Sequence, residues 1–135
     1  MNSLFRQSTL HEYAVEHGHY LVAYAPLAQG AIMEHEEIRS IASEHDATPA
    51  QVSLAWLAGL ERVVPIPKAT GSAHIGENYR AVDLSLPPRD IERIESIEPQ
   101  RRTVDWEAAL GTDFPLTVSP ARCRPSGRRP GRLTF

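Results

Sequence analysis

Apolar residues in the first hundred positions recur in two alternating patterns, one at helical spacing and one in short continuous runs. Leu10, Tyr13, Ala14 and His17 share one face at helical spacing, and Gly18 is a helix stop. The apolar run at 20–24 follows at once and predicts a buried strand, and 26–30 is predicted to be a loop. Helices alternating with strands are typical of an α/β protein with parallel strands.

Two further segments have the pattern of short amphipathic helices. Ile38 and Ile41 begin the apolar stripe of the first, which is expected to end near Asp46. The second opens at the prolines 87–88 and ends at Pro99. One stripe of this second helix is apolar and the other is charged, so we expect a surface helix with one buried face formed by Ile91, Ile94 and Ile97.

Residues 48–51 carry the clearest helix start in the chain. They combine the N-cap hydroxyl of Thr48, a proline at the first helical position and Gln51, which completes a capping box. We expect the helix to run to about residue 57 or 58, with Gly59 ending it. Because it is apolar over most of its circumference, it is predicted to pack on two sides.

The segment after this helix predicts a second strand and another helix. The strand is expected at 63–66, with prolines limiting its ladder hydrogen bonds near the carboxyl end. Ser72 is the predicted cap of the following helix, which carries Ile75 and Tyr79. Gly76, inside that helix, costs about 1 kcal/mol relative to alanine, so its neighbours must hold the helix in place.

The composition is that of a single globular domain: 135 residues, of which 41% are apolar and 23% charged. No apolar run is long enough to span a bilayer and the N-terminus lacks the pattern of a secretory signal, so we expect a cytoplasmic protein with no membrane role. Cys123 is the single cysteine and the six histidines lack metal-ligand spacing, so no metal site is expected.

The net charge of −3 hides two different regions. Residues 1–114 hold nine basic and 17 acidic side chains, whereas residues 115–135 hold five arginines and no acid. We therefore predict an ordered domain over 1–106 and an irregular, disordered basic tail over 107–135. The tail lacks interleaved aromatic residues, so nucleic-acid binding is not expected.

Four strings in this pattern resemble the C-terminal part of the aldo-keto reductases. LVAYAPLAQG and VVPIPKATGSAHIGEN are similar to the family's seventh and eighth strand-loop segments. TPAQVSLAWL resembles the helix between those strands, and AVDLSLPPRDIERIESI resembles the C-terminal accessory helix. The resemblance covers roughly residues 7–106, and the order and spacing of several motifs make it specific.

The resemblance implies the C-terminal portion of a (β/α)₈ TIM barrel, with two of eight strands and two accessory helices, and hence an incomplete barrel. It also implies an NADP cofactor, with NAD possible, lying across the strand ends. Tyr24 matches the position that stacks on the nicotinamide. The other matching positions are Ala25, Leu27 and Gln29 beside the pyrophosphate, Lys68, Ala69 and Thr70 at the adenosine phosphate, and His74, Glu77 and Asn78 at the adenine end.

The residues around Lys68 support a phosphate role on physical grounds as well. A strand end followed by a helix start presents free backbone N–H groups and a partial positive charge, and Lys68 adds a full charge. Two positions depart from the family, which commonly has arginine at His74 and serine at Ala69. A mostly neutral histidine cannot form a bidentate fork to a 2′-phosphate, so NAD stays open beside NADP.

The family's catalytic tyrosine, lysine, aspartate and histidine lie on earlier strands, and no catalytic residue is assigned here. Two hypotheses follow: a C-terminal fragment of an NAD(P)H-dependent reductase of aldehydes or ketones, or an inactive truncated product that at most binds nucleotide. Open faces at Leu21, Val63 and Ile66 predict marginal stability and self-association, or completion by a second chain. The pattern does not specify which carbonyl substrate the intact parent would take.

Overall fold

Two parallel strands and five α-helices form the part of the chain that this computed structural model describes, residues 1–100. The predicted tail, 107–135, lies outside the described residues. Short 3-10 segments at Ala28–Glu34 and Ala81–Asp83 join some of the elements. In chain order the elements are α1 (Ser8–Glu16), β1 (Leu21–Ala23), α2 (Glu36–Glu44), α3 (Pro49–Gly59), β2 (Val63–Pro65), α4 (Ser72–Arg80) and α5 (Pro88–Glu95).

The two strands pair in parallel, with Leu21 opposite Val63 and Ala23 opposite Pro65. The Ile66 N–H donates to the Ala23 carbonyl over 3.1 Å, so the ladder continues one residue past β2. Parallel neighbours need a long crossover, and α2 and α3 supply it here. The predicted α/β class with parallel strands is confirmed.

Both strands are shorter and less buried than the sequence predicts. Of the apolar run 20–24 only three residues form β1, and only Ala23 is buried, while Val22 is 56% exposed. Val63 is buried, contrary to the expectation of an open face, because it packs into the core below the sheet. Ile66 is 50% exposed, as expected. One face of the two-stranded sheet is therefore covered by the core, and the other face is largely exposed.

The hydrophobic core lies between the sheet and the inner faces of α2, α3 and α5. Its largest fully buried aliphatic side chains come from the three helices and from the 3-10 segment after β1: Ile32, Ile38, Ile41, Val52, Leu57 and Ile94. Burying an aliphatic side chain of this size stabilises a fold by about 1.5–3 kcal/mol. The predicted stripes of α2 and α5 and the two-sided packing of α3 are confirmed, although α5 ends at Glu95 rather than near Pro99.

The capping box of α3 forms as predicted. Thr48 Oγ1 accepts from the Gln51 N–H over 3.2 Å, and Gln51 Oε1 accepts from the Thr48 N–H over 2.9 Å. Prediction and structure differ at α4. Its N-cap is Gly71, no side chain caps it, and Ser72 is already the first helical residue. The serine is therefore one position too late in the chain to accept from the first turn.

The remaining differences concern α1 and the loop after β1. On the predicted apolar face of α1 only Ala14 is buried, while Leu10 and Tyr13 are about half exposed. The 3-10 segment Ala28–Glu34 overlaps the predicted loop at 26–30, but Ala28, Gln29 and Gly30 have positive φ, so the backbone is non-helical there and the predicted loop extends to Gly30. Within residues 1–100, no helix is both long enough and apolar enough to cross a membrane.

Candidate functional site

A cleft of about 650 Å³ opens where the loops after β1 and β2 meet the first turns of α3 and α4. The loops come together there because the carboxyl ends of parallel strands meet at one edge of a sheet. Seven of the ten predicted cofactor positions line it. They are Leu27, Lys68, Ala69, Thr70, His74, Glu77 and Asn78, and the remaining lining residues are Met33, Thr48, Pro49 and Ala50.

The other three predicted positions lie on the same loop as Leu27 but outside the cleft lining. Tyr24 directly follows β1 and is 52% exposed. The Ala25 carbonyl points away to Asn2, whose side-chain amide donates to it over 3.2 Å. Gln29 is exposed and adopts the left-handed conformation at φ +54°. The structure therefore joins Leu27 to the Lys68 segment but does not bring Tyr24, Ala25 or Gln29 into this cleft.

The N-terminus of α4 opens beside the lysine. Gly71 is its N-cap in an extended conformation, no side chain of residues 1–100 caps this end, and no acidic residue lies in the first turn. The first N–H groups of a helix point along its axis, out of the N-terminal end, and carry a partial positive charge. Lys68, exposed three residues before Gly71, adds a full charge. Together they give this end of the cleft the electrostatics of an anion site.

His74 and Glu77 form a pair at the rim of the cleft. His74 Nδ1 lies 3.0 Å from Glu77 Oε2, one helical turn apart on α4. The imidazole is 75% exposed and the carboxylate about a third exposed. A carboxylate already bonded to the imidazole places negative charge beside it, which opposes an incoming phosphate at His74.

Gln51 links the two helices that flank the cleft. Its side-chain oxygen completes the capping box of α3, and its Nε2 donates to the Glu77 carbonyl over 3.2 Å. One side chain therefore fixes the start of α3 and the middle of α4 relative to each other. The capping motif predicted the first role, but nothing in the sequence indicated the second.

Four lining residues were not predicted as site residues. Thr48, Pro49 and Ala50 were identified only as a helix start, and Met33 lies in a 3-10 segment. These residues are far from Lys68 in the sequence, so the sequence does not show that they line the same cleft. The crossover between the strands brings the start of α3 close to the end of β2. The sequence pattern marks residues 48–51 as a helix start and gives no sign that they line a site.

Ala69 and Asn78 also line a second cleft of about 370 Å³ on the other side of the loop after β2. Its lining is mostly apolar and includes Leu54, Ile75 and Tyr79. Asn78 therefore lines both clefts, whereas Lys68 lines the larger of the two. Within the described residues, no group of three histidine, cysteine, aspartate or glutamate side chains could hold a metal ion.

Comparison with known proteins places these features in one family. A sequence profile of the Aldo/keto reductase family matches residues 1–99. Methylglyoxal reductase DkgB of Escherichia coli O157:H7 is 37% identical over 95 residues, which cover 70% of this chain and 35% of that protein. The 9,11-endoperoxide prostaglandin H2 reductase of Trypanosoma cruzi is 30% identical over 106 residues, covering 76% of this chain and 37% of that protein.

Solved structures give the same result. A variant of Gox0644 in complex with NADPH is 28% identical with a TM-score of 0.69, over 74% of this chain and 37% of that chain. The thermostable aldo-keto reductase Tm1743 is 34% identical with a TM-score of 0.67, over 71% and 37%. The chain spans about a third of the length of the curated relatives it matches. Because the family profile covers most of its residues, this protein belongs to the aldo/keto reductase family.

Proposed function

We propose that this chain supplies the phosphate and adenosine part of the NAD(P)H site of an aldo-keto reductase, which reduces an aldehyde or ketone to an alcohol. The observation that carries the proposal is one cleft of about 650 Å³ that is lined by Leu27, by Lys68 and by three residues of α4. An anion site at one end and polar adenine-reading groups at the other suit an extended dinucleotide.

The residues of the cleft fit such a cofactor. Lys68 and the first N–H groups of α4 would hold a phosphate of the adenosine. The amide of Asn78 and the carboxylate of Glu77 offer a donor and acceptors for the adenine edge. Tyr24 lies outside the cleft lining, half exposed directly after β1, and its ring is proposed to stack on the nicotinamide end of the cofactor. When bound, the reduced nicotinamide supplies the hydride.

NADP is the proposed cofactor, with NAD as the alternative. Lys68 favours the extra phosphate of NADP, and one of the similar structures contains NADPH. The pairing of His74 with Glu77 acts in the other direction, because it leaves no free positive fork for a 2′-phosphate. The preference is therefore proposed to be weak.

We also propose that the two strands are part of an eight-stranded barrel and that this chain by itself binds the dinucleotide without turning over a carbonyl substrate. The chain spans about a third of its relatives, and Val22 and Val64 on the uncovered sheet face are 56% and 42% exposed. Side chains of this kind favour self-association or a complementing chain. The small-molecule carbonyl substrate would belong to the intact parent.

Two measurements on the purified 135-residue chain test these proposals. The first titrates NADPH and NADH by calorimetry, and saturable one-to-one binding of either is expected. Absence of binding by both would overturn the dinucleotide site. The second follows NADPH oxidation at 340 nm with a panel of aldehydes and ketones, and no turnover is expected. Measurable turnover would overturn the proposal that the chain is inactive alone, while leaving the dinucleotide site intact.

A further inference from the structure

The loop after β1 is held in a conformation that its sequence does not favour. Three consecutive residues have positive φ: Ala28 at +49°, Gln29 at +54° and Gly30 at +92°. Only the glycine adopts this region without strain, and each other residue there costs about 1–3 kcal/mol. Such a conformation persists only where the surroundings determine it. The same loop carries Leu27 into the cleft.

Two buried side chains contribute to that restraint, beside the backbone bonds from the Ala28 N–H to the Ala25 carbonyl and from the Gly30 N–H to the Leu27 carbonyl. Ser53 Oγ donates to the Pro26 carbonyl over 3.2 Å, and Asn2 Nδ2 donates to the Ala25 carbonyl over 3.2 Å. Ser53 is 0% exposed and Asn2 is 3% exposed. The amide of Asn2 is itself fixed, because its Oδ1 accepts from the Leu4 N–H over 3.0 Å. Two successive carbonyls at the start of the loop are therefore anchored to side chains far away in the sequence.

The hydrogen bond between the buried hydroxyls of Ser3 and Ser53 has a defined direction. Ser3 Oγ lies 3.1 Å from Ser53 Oγ, and Ser3 is also fully buried. A carbonyl oxygen only accepts, so the single proton of Ser53 goes to Pro26. Ser3 must then donate to Ser53. The chain of hydrogen bonds runs from Ser3 through Ser53 to Pro26.

A buried serine on the inner face of α3 needs a reason. The adjacent buried residues, Val52 and Leu54, are apolar, and an alanine would pack at this position without any polar group to satisfy. A buried hydroxyl there stabilises the fold only through its hydrogen bonds. The bond that Ser53 donates goes to the loop, whose strained backbone would otherwise relax to another conformation. The serine at this position is therefore explained by its hydrogen bond to the loop rather than by packing in the core.

We infer that Ser53 and Asn2 are positioning residues: through the Ala25–Pro26 carbonyls they hold the loop in the form that receives the pyrophosphate and nicotinamide half of the dinucleotide. The inference rests on the proposed function of the cleft. Neither side chain would contact the cofactor, because both are buried and neither lines the cleft. The adenosine half is held by Lys68 and α4, and Leu27 is the one residue of 24–30 that lines their cleft.

That division gives a direct test with two ligands. NADPH reaches both halves of the proposed site, whereas 2′,5′-ADP carries only the adenosine and its phosphates. In Ser53→Ala the affinity for NADPH is expected to fall about tenfold, while the affinity for 2′,5′-ADP stays within about twofold of the wild type. Asn2→Ala is expected to show the same split and carries the test if Ser53→Ala does not fold.

Ser3→Ala is the matched control. It removes an equally buried hydroxyl from the same pair but leaves the bond from Ser53 to Pro26 in place, so NADPH affinity is expected to stay near the wild-type value. Equal weakening of both ligands in Ser53→Ala and Asn2→Ala, or weakening of neither, would overturn the positioning role alone. A wild-type chain that binds neither NADPH nor 2′,5′-ADP would overturn the cleft's proposed function and this inference with it.

Discussion

His45 Nε2 lies 2.7 Å from Oδ2 of Asp90, and the Asp90 side chain is completely buried. His45 caps the C-terminus of α2, and Asp90 lies in the first turn of α5, so the pair joins the two helices. Arg93 donates to the other carboxylate oxygen over 3.0 Å and also bonds Glu37 and Glu44 on α2. This buried carboxylate is the centre of the contact that fastens α5 to the domain.

Replacing that carboxylate should weaken the domain. Asp90→Asn keeps the shape but removes the charge that His45 and Arg93 surround, and charged hydrogen bonds of this kind contribute about 1.5–3 kcal/mol each. We expect the free energy of unfolding to fall by about 2 kcal/mol, measured by urea denaturation. Glu92→Gln is the control, an exposed carboxylate on the same helix, and should change stability by less than about 0.5 kcal/mol. Equal stability of the two variants would contradict the role of Asp90.

The same pair predicts how stability depends on pH. The hydrogen bond from His45 lowers the pKa of Asp90 below its ordinary value of 3.8, burial opposes this, and Arg93 lowers it further. A carboxyl whose pKa is lower in the folded state stabilises the fold fully above its unfolded pKa, and this contribution is lost as the pH falls through the folded value. The contribution of the Asp90 carboxyl should therefore be fully present above about pH 5 and decline below about pH 4.

Urea midpoints of the wild type and Asp90→Asn measured across that range test the sign. The gap between the two proteins should be widest near neutral pH and should narrow in acid, because protonation removes the same charge in the wild type that the substitution removes in the variant. A gap that stays constant from about pH 6 to about pH 3 would show that Asp90 does not titrate with a lowered pKa.

The start of α3 allows a paired test of helix capping. Thr48→Ala removes the acceptor of the Gln51 N–H and should lower the free energy of unfolding by about 1 kcal/mol. Ser72→Ala is the counterpart, since Ser72 caps nothing in α4 and lies exposed at its first position. It should change stability by less than about 0.5 kcal/mol. A larger effect of Ser72→Ala than of Thr48→Ala would mean that the capping roles are reversed.

These two positions also show how far the sequence could predict the fold. The box at 48–51 is local, since every group it needs lies within one helical turn, so its pattern was sufficient. At α4 a glycine and a serine stand side by side and either could begin the helix. The path of the chain out of β2 decides between them, and periodicity carries no information about that path.

The site divides in the same way. Lys68 lies between β2 and the start of α4, and this strand-to-helix pattern predicts its phosphate role, whereas Thr70 is predicted only through the family resemblance. The anchors at Asn2 and Ser53 were not predicted, because their partners are 23 and 27 residues away and are backbone carbonyls, which leave no pattern in the side chains. The extent of burial of β1 was overestimated because an apolar run does not indicate how many sheet faces are covered.

Lys68 is the only lysine in the chain, so its proposed phosphate role can be tested by chemistry on a single side-chain amine. Lys68→Met should weaken NADPH binding about tenfold at low salt, with a smaller effect at high salt where the charge is screened. Arg39→Met removes the same charge from an exposed position on α2 outside the cleft and should leave binding unchanged. An equal loss in the two variants would attribute the effect to net charge. Amine labelling offers a second measurement, in which NADPH should protect Lys68 but not the N-terminal amine.

The pair at the rim of the cleft makes the cofactor preference adjustable. His74→Arg places a permanent fork where the proposed 2′-phosphate lies, and the ratio of NADPH to NADH affinity should rise about tenfold. Glu77 lies 3.0 Å from the present imidazole and would compete for the new guanidinium, so His74→Arg combined with Glu77→Gln should raise the ratio further. The ratio is the proper readout, because NADPH and NADH share the same adenine. An effect on adenine binding cancels in the ratio, and an effect on the 2′-phosphate remains. His19→Arg adds the same group at an exposed position outside the cleft and should leave the ratio unchanged. If the ratio in His74→Arg matches that control, the phosphate of NADP does not lie at this end of the cleft.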